Sequence, residues 1–473
     1  MKKPLVVVLL AIAGCNSNAA APADGGAVDS APPGDLAPLP PLTATLACTD
    51  QLADVYVANS ALPAYTTADR GKIVRCALDG TLTAAAVQQR AAAAGYTGPT
   101  LPSGAQALRV AYRTERLAGQ GGVATAEIYL PTAPRVAPAE AVAAVHGTIG
   151  LADLCAPTKL NGLGADAMAM PLVGEGMAVI APDYAGLGNG HGETYQGWDL
   201  AEDEAHSVLD AIRALRSSVA AGALTAQTAI VGHSQGGGSV FAAQALRPTY
   251  APEVQLAAVV AFAPGWYDRR SWGLLLSAAN RGTPTGGNAQ FITAFAVMYY
   301  FGHGAIYDGV GHAIDPFASG VRAQVQSAVD SQCVNTLGSQ VAGFAPTVGD
   351  LFDQTFSASV EACTSGGACA SPGKDWLARM DADRPALDAA GAPVLIIQGL
   401  NDTTVPPAST ACTYARLMNQ HIGVQACTDM SADHLTVVGA NAGLAAQFIE
   451  ARLAGASGAL MCTNGLPTTC ANP

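Results

Sequence analysis

The sequence predicts an α/β protein, a mainly parallel sheet flanked by helices and carrying one helical cap insertion. Three observations predict it. Short strand-like apolar runs alternate with helical stretches through the middle of the chain, the rhythm of parallel strands joined by crossover helices. One strand-to-helix junction is the turn Gly232-His233-Ser234-Gln235-Gly236, with glycines where such a turn is tightest. The rhythm stops between Pro264 and Ala390 and resumes with Ala392–Gly399, an apolar run that reads as a buried strand.

From the N-terminus, Lys2 and Lys3 precede the apolar run Pro4–Ala13, too short for a bilayer that needs about 20 residues. The run ends in small residues before Cys15, so residues 1–14 read as a signal peptide. Ile12-Ala13-Gly14-Cys15 resembles the bacterial lipobox, which implies that Cys15 is lipidated and becomes the first residue of the mature chain. Residues 15–47 are rich in Ala, Pro, Gly and Asp with few large apolar side chains, and are expected to form a lipidated flexible tether. The Ala-rich segment from Asp50 to Ala94 reads as helical. Leu108–Glu115 and Val123–Leu130 read as antiparallel strands joined at Gly119-Gln120-Gly121-Gly122. Ala141–His146, Ala178–Asp183, Thr228–Val231 and Leu256–Ala263 follow as strands with helices between them. Residues 48–263 and 391–473 then form the two parts of the sheet domain, and 264–390 the cap. Its apolar run Phe291–Phe301 reads equally as a buried cap helix or as pocket lining.

The strand-to-helix turn strains its central residue and lifts that side chain above the sheet, so Ser234 is the candidate nucleophile. A serine needs a base, and the base an orienting carboxylate, in the chain order Ser, Asp or Glu, then His. Asp402 sits in the polar turn Leu400–Pro406 at the end of the strand Ala392–Gly399. A helix near Ser409–Gln420 and a short strand near Gly423–Cys427 lead to the loop Ser431-Ala432-Asp433-His434-Leu435, and helical periodicity then runs to Leu453. His434 is the candidate base. The other histidines fit less well: His146, His191, His206 and His233 precede or adjoin the serine, His303 and His312 lie in the insertion, and His421 ends a helix. Asp433 and Asp429 are rivals to Asp402, but a carboxylate adjacent to His434 in sequence points away from it.

These residues resemble the secretory lipases and esterases of the α/β-hydrolase fold, a lipase A-like family of yeasts and bacteria. The similarity runs from about Ala107 to Pro467. It rests on the elbow together with His146-Gly147-Thr148, Asp153–Pro157, Pro182–Gly188, Leu209–Leu215 and Ala432–Leu435, in this order and spacing. The resemblance implies Ser234 as nucleophile, Asp402 as acid and His434 as base. It also implies an oxyanion hole made by the backbone N–H groups of Gln235 and Thr148, each contributing about 3 kcal/mol to the transition state. The yeast pattern has an acidic residue where Thr148 aligns, so only the backbone donor carries over. Asp183 is expected to shape the site wall. The resemblance further implies a disulfide between Cys155 and Cys333.

With Cys15 set apart, ten of the 11 cysteines remain, an even number in an exported chain and enough for five disulfides. Proximity in sequence pairs Cys48 with Cys76, Cys363 with Cys369, Cys412 with Cys427 and Cys462 with Cys470. The net charge of −13 argues against nucleic acid as a partner. No P-loop, HExxH or Cys-x-x-Cys pair occurs, so no cofactor or metal is implied. The expectation is a serine hydrolase of neutral carboxylic esters or lipids, held at the bacterial cell envelope only through its N-terminal lipid or else secreted. A peptidase of the same fold and a catalytically silent surface lipoprotein are the alternatives.

Overall fold

The computed structural model describes residues 39–162 and 164–470. The signal peptide, the lipidation site Cys15 and the tether up to residue 38 lie outside the described residues.

The strands are β1 (Ile73–Leu82), β2 (Ala105–Glu115), β3 (Gly121–Pro131), β4 (Ala139–Val145), β5 (Ala178–Ala185), β6 (Leu224–His233), β7 (Gln255–Phe262), β8 (Val394–Gly399) and β9 (Val424–Asp429). They form one sheet in the order β1-β2-β3-β5-β4-β6-β7-β8-β9. The pairings β1–β2, β2–β3 and β3–β5 are antiparallel, and from β5 to β9 they are parallel. The parallel half is covered on both faces, which is why β5 and β8 are buried at every position and read as continuous apolar runs. On one face α3 (Ala201–Ser217), α4 (Gln235–Tyr250) and α12 (Pro407–Asn419) pack through Leu209, Ile212, Phe241 and Leu417. On the other, α1 (Ala84–Ala93), α2 (Asp166–Gly174) and α13 (Thr436–Leu453) pack through Val87, Leu172 and Phe448. Each such Leu or Phe contributes about 1.5–3 kcal/mol on burial. The result is a stiff frame whose parallel strand ends all open toward one edge.

Between β7 and β8 the chain leaves the sheet and forms α5 (Arg270–Leu275), α6 (Gln290–Tyr307), α7 (Arg322–Ser331), α8 (Val334–Phe344), α9 (Val348–Leu351), α10 (Gln354–Thr364) and α11 (Gly373–Ala382). This insertion has its own core, in which Tyr299, Tyr300, Phe301, Phe317, Phe352 and Trp376 interlock. The apolar run Phe291–Phe301 lies in α6 and is for the most part a buried cap helix. Ala296 to Phe301 are buried in that core, Phe291 is exposed, and Phe295 stacks on Trp198 of the sheet domain at 5.5 Å. The firmest attachment is at Cys333: it bonds Cys155, it bridges to Gly150, and Val334 N donates to the Ile149 carbonyl at 2.8 Å.

Three expectations are corrected. The segment Asp50–Ala94 is not helical throughout: three short 3-10 turns precede β1 at Ile73–Leu82, and Ala84–Ala93 is its α-helix, capped by Thr83, whose hydroxyl accepts from Ala86 N at 3.2 Å. β1 itself holds a single alanine, Ala77, among Ile73, Val74, Cys76 and Thr81; the alanines that colour the segment lie outside it, and pairing along β2 fixes the strand. The tether reading does not extend to residue 47, because Leu42 is buried in the sheet core while Leu39 and Ala44 bridge to Arg135 and Val219. Of the disulfides, Cys48–Cys76, Cys155–Cys333 and Cys363–Cys369 form, but Cys412 pairs with Cys470 and Cys427 with Cys462. The cause is the tail after α13, which doubles back along β9. Thr428 N donates to the Thr463 carbonyl and Gln425 Nε2 to the Leu460 carbonyl, each at 2.8 Å, which sets Cys462 beside Cys427.

Candidate active site

At the end of β6 the backbone reverses into α4 through Ser234, whose φ of 55° and ψ of −115° are strained for a residue with a side chain. The glycines around it are there for space. A Cβ on Gly232 would lie 2.1 Å from the Gly236 carbonyl oxygen, and one on Gly236 would lie 2.1 Å from that of Val145. The end of β7 and the residues after it fix the turn: Ser234 N donates to Phe262 O at 2.9 Å, and Gly265 N donates to Ser234 O at 2.8 Å. Ser234 therefore projects from the head of α4, where first-turn N–H groups lack intrahelical partners and the helix dipole is positive.

Asp402 follows β8 and His434 follows β9, so adjacent strands deliver them to the same edge. The structure brings the three together. His434 Nε2 lies 2.9 Å from Ser234 Oγ, and His434 Nδ1 lies 2.7 Å from Asp402 Oδ2. The carboxylate is itself held: Oδ1 accepts from Thr404 N and Val405 N at 2.8 Å each, and Oδ2 also accepts from Gln398 Nε2 at 3.2 Å. Asp402 is buried and Ser234 is only 7% exposed, so the relay works away from bulk water. Asp433 instead accepts from Leu435 N and Thr436 N at the start of α13, and Asp429 accepts from Ser431 and Asn441. Both are fixers of local backbone rather than partners of His434.

The remaining seven histidines stand elsewhere: His421 lies in the exposed turn after α12 with φ of 59°, and the other six are held by neighbouring groups. Burial pushes His146 down to about 4; burial, followed by the nearby His434, pushes His233 down to about 3, so both rings are neutral. Neutral His233 has one N–H, and its Nε2 lies 2.8 Å from the His434 carbonyl, tying the neighbour of Ser234 to the backbone of His434. His206 stacks on Tyr250, His303 binds Asp383, His312 pairs with Asp315, and His191 Nε2 lies 2.7 Å from the Tyr56 carbonyl.

The loop after β4 runs beside the nucleophile: a Cβ on Gly147 would be 3.3 Å from Ser234 Cβ. Thr148 follows, and its hydroxyl accepts from Trp198 Nε1 at 3.0 Å, which directs the side chain to the cap side and leaves the backbone as the available donor. On the helix side, the Gln235 side chain turns inward and donates to Glu204 Oε1 at 2.6 Å. Asp183 is fully buried behind this wall, accepting from Thr125 and from Thr158 N, and burial pushes its carboxyl up to about 6. Gln398, Trp198 and Glu204 escaped the sequence reading because each lies in a run with no motif. His233 lies inside the motif, where only its unsuitable chain order was legible.

With this geometry in place, comparison with known proteins is informative. The secretory lipase family model matches residues 158–265, a stretch that includes α3, the elbow and β7. No curated protein sequence matches the chain. Solved structures match over most of its length. A ligand-bound form of the rice cell wall degrading esterase LipA from Xanthomonas oryzae is 18% identical with a TM-score of 0.62, covering 80% of this chain and 96% of that one. Candida antarctica lipase A is 16% identical with a TM-score of 0.63, covering 89% and 92%, and in its closed state the values are 16%, 0.61, 85% and 87%. At these identities the likeness is one of fold, and the fold is that of the α/β-hydrolases. The family that the sequence resembles is the one whose model matches.

Proposed function

We propose that this protein is an extracytoplasmic serine hydrolase that cleaves neutral carboxylic esters through an acyl-enzyme. The observation that carries the reading is the continuous relay from Asp402 through His434 to Ser234 at 2.7 and 2.9 Å, at the head of a helix. His434 holds a proton on Nδ1 against Asp402 and presents the Nε2 lone pair to Ser234 Oγ. As the serine oxygen attacks the ester carbonyl, Nε2 takes its proton and Asp402 stabilises the imidazolium. The carbonyl oxygen becomes an oxyanion, for which the N–H groups of Gln235 and Thr148 are the donors. His434 then protonates the leaving alkoxide, and a water activated by the same Nε2 hydrolyses the acyl-enzyme.

The secretory lipase match and the lipase and esterase structures of the same fold support ester bonds as the target. Five disulfides support an oxidising compartment. Lipidation at Cys15 supplies a membrane anchor; among the described residues no helix is long and apolar enough to cross a bilayer. A panel of p-nitrophenyl esters of graded acyl length beside p-nitroanilide peptides tests the reading. Turnover of the esters alone is expected, and turnover of the anilides with inert esters contradicts it.

A further inference from the structure

Glu204 on α3 is buried to 2% exposure directly behind the elbow, and among the described residues no cation forms an ion pair with it. Its Oε1 accepts from Gln235 Nε2 at 2.6 Å and from Asp199 N at 2.8 Å. Its Oε2 lies 2.7 Å from Ser239 Oγ, one turn into α4. Ser239 Oγ lies 2.8 Å from the Tyr184 hydroxyl, which reaches the His146 carbonyl at 3.1 Å, two residues before Thr148. One carboxyl thus touches the side chain of one oxyanion residue and reaches the loop of the other through two hydroxyls. Tyr184 and Asp199 both take left-handed backbone conformations, with φ of 66° and 60°, so the surrounding structure holds strained residues to make these contacts.

We propose that Glu204 is a positioning residue for the oxyanion hole, bracing Gln235 directly and the Thr148 loop through Ser239 and Tyr184. The proposal rests on the serine-hydrolase reading and assigns to that site a residue outside the relay. Proton counting favours the neutral acid. With a proton on Oε2, Glu204 donates to Ser239, Ser239 to Tyr184 and Tyr184 to His146 O, so all three oxygen–oxygen contacts carry a hydrogen, whereas an ionised Glu204 leaves two hydrogens for the three. Burial and the neighbouring Asp199 carboxylate hold the Glu204 carboxyl well above the usual range. Of the two acids, Asp199 is the one that faces a guanidinium, Arg269 Nη1 at 3.3 Å, and so it is Glu204 that keeps the proton. A neutral acid also adds no negative charge behind the developing oxyanion.

The test compares the full chain with Glu204→Leu, Glu204→Gln, Ser239→Ala and Tyr184→Phe. The readouts are kcat and KM on p-nitrophenyl butyrate, melting temperature, and inhibition by phenylboronic acid, whose tetrahedral adduct on Ser234 places an oxygen in the oxyanion hole. Glu204→Leu is expected to lower kcat and weaken the boronate by about 100-fold each, with KM within about threefold. Ser239→Ala and Tyr184→Phe are expected to lose about tenfold in kcat. Glu204→Gln, whose amide donates to Ser239 and whose oxygen accepts from Gln235 and Asp199 N, is expected to restore kcat to within about threefold of the parent. Folded Glu204→Leu with parental kcat and boronate affinity overturns the brace. So does Glu204→Gln as impaired as Glu204→Leu. If Glu204→Leu does not fold, parental kcat in both hydroxyl variants overturns it. A parent chain inert to both ester and boronate overturns the serine-hydrolase reading and the brace with it, a result distinct from an active parent with active variants.

Discussion

Ser234 and Asp402 stand at the ends of strands paired on both sides and His434 follows the edge strand β9, whereas the insertion between β7 and β8 is a helical body with its own aromatic cluster. The sheet holds each relay residue through local geometry: the glycine-lined elbow, the two amides on Asp402 Oδ1, the His233 ring against the His434 carbonyl. The insertion is held by one covalent bond, Cys155–Cys333, and by side-chain contacts that include the Trp198–Phe295 stack, Arg269 on Asp199 and Tyr195 on Asp330. The difference predicts a division of labour, in which chemistry belongs to the frame and the selection of acyl groups to the cap.

The comparison breaks most visibly at the relay. Replacing Ser234 or His434 by Ala should lower kcat by about 10⁶, and Asp402→Asn by about 10⁴, in pre-steady-state and steady-state ester assays. Melting temperatures should barely move in the first two. A cap substitution with an effect of that size would erase the division.

Next in size is the attachment of the cap. Cys333→Ser removes a bond that closes a separation of 178 residues and should cost on the order of 2–5 kcal/mol in denaturant unfolding. It frees α8 from the Ile149–Gly150 segment, so the dependence of kcat/KM on acyl length should flatten as well. Unchanged stability and an unchanged profile would show that the bridge couples nothing.

Low pH probes the frame alone. His146 and His233 are neutral in the folded chain, at about 4 and about 3, while in the unfolded chain they titrate near the ordinary value of about 6.5. Between those values the unfolded state binds protons at these two positions that the folded state does not, so the pair contributes stability that is lost as pH drops from about 6.5 to 4, on the order of a few kcal/mol, while Asp183, held up to about 6 by burial, contributes in the opposite sense. Thermal melts from about pH 7 to 4.5 of the parent beside His146→Gln check this: the parent should lose more melting temperature across the window than the variant, and equal slopes contradict it.

The parts legible in the sequence are those set by local rules. The elbow needs Gly232 and Gly236 for space, and the acid and base follow adjacent parallel strands, so chain order indicated which Asp and His would meet Ser234. What escaped is set by distant partners. β1 was hidden in an Ala-rich stretch because its pairing with β2 decides its conformation, and Cys462 finds Cys427 only because the tail folds back on β9. Glu204, Gln398 and Trp198 carry no motif and become visible only when three strands and two helices converge.

Within the cap, Phe295 is the side chain that reaches from α6 to Trp198. Each acyl CH₂ buried against such a wall is worth about 0.8 kcal/mol. Phe295→Ala should therefore reduce the gain in kcat/KM per added carbon while leaving acetate hydrolysis intact. Met298 is fully buried in the cap core, and Met298→Ala should lower stability as well. Smallest of all is Asp433→Ala, which loses a cap on α13 and should cost about 1 kcal/mol with kcat retained. A large loss of kcat there would return Asp433 to contention as the acid.

The most direct measurement is covalent labelling of the intact protein by a fluorophosphonate, with the modified residue mapped by peptide mass spectrometry. An activated serine beside its base and oxyanion donors reacts rapidly, and an ordinary serine does not. Rapid, stoichiometric modification of Ser234 alone, lost in His434→Ala, is the predicted result. Labelling of another residue, or ester hydrolysis that survives in Ser234→Ala, would contradict the account at its centre.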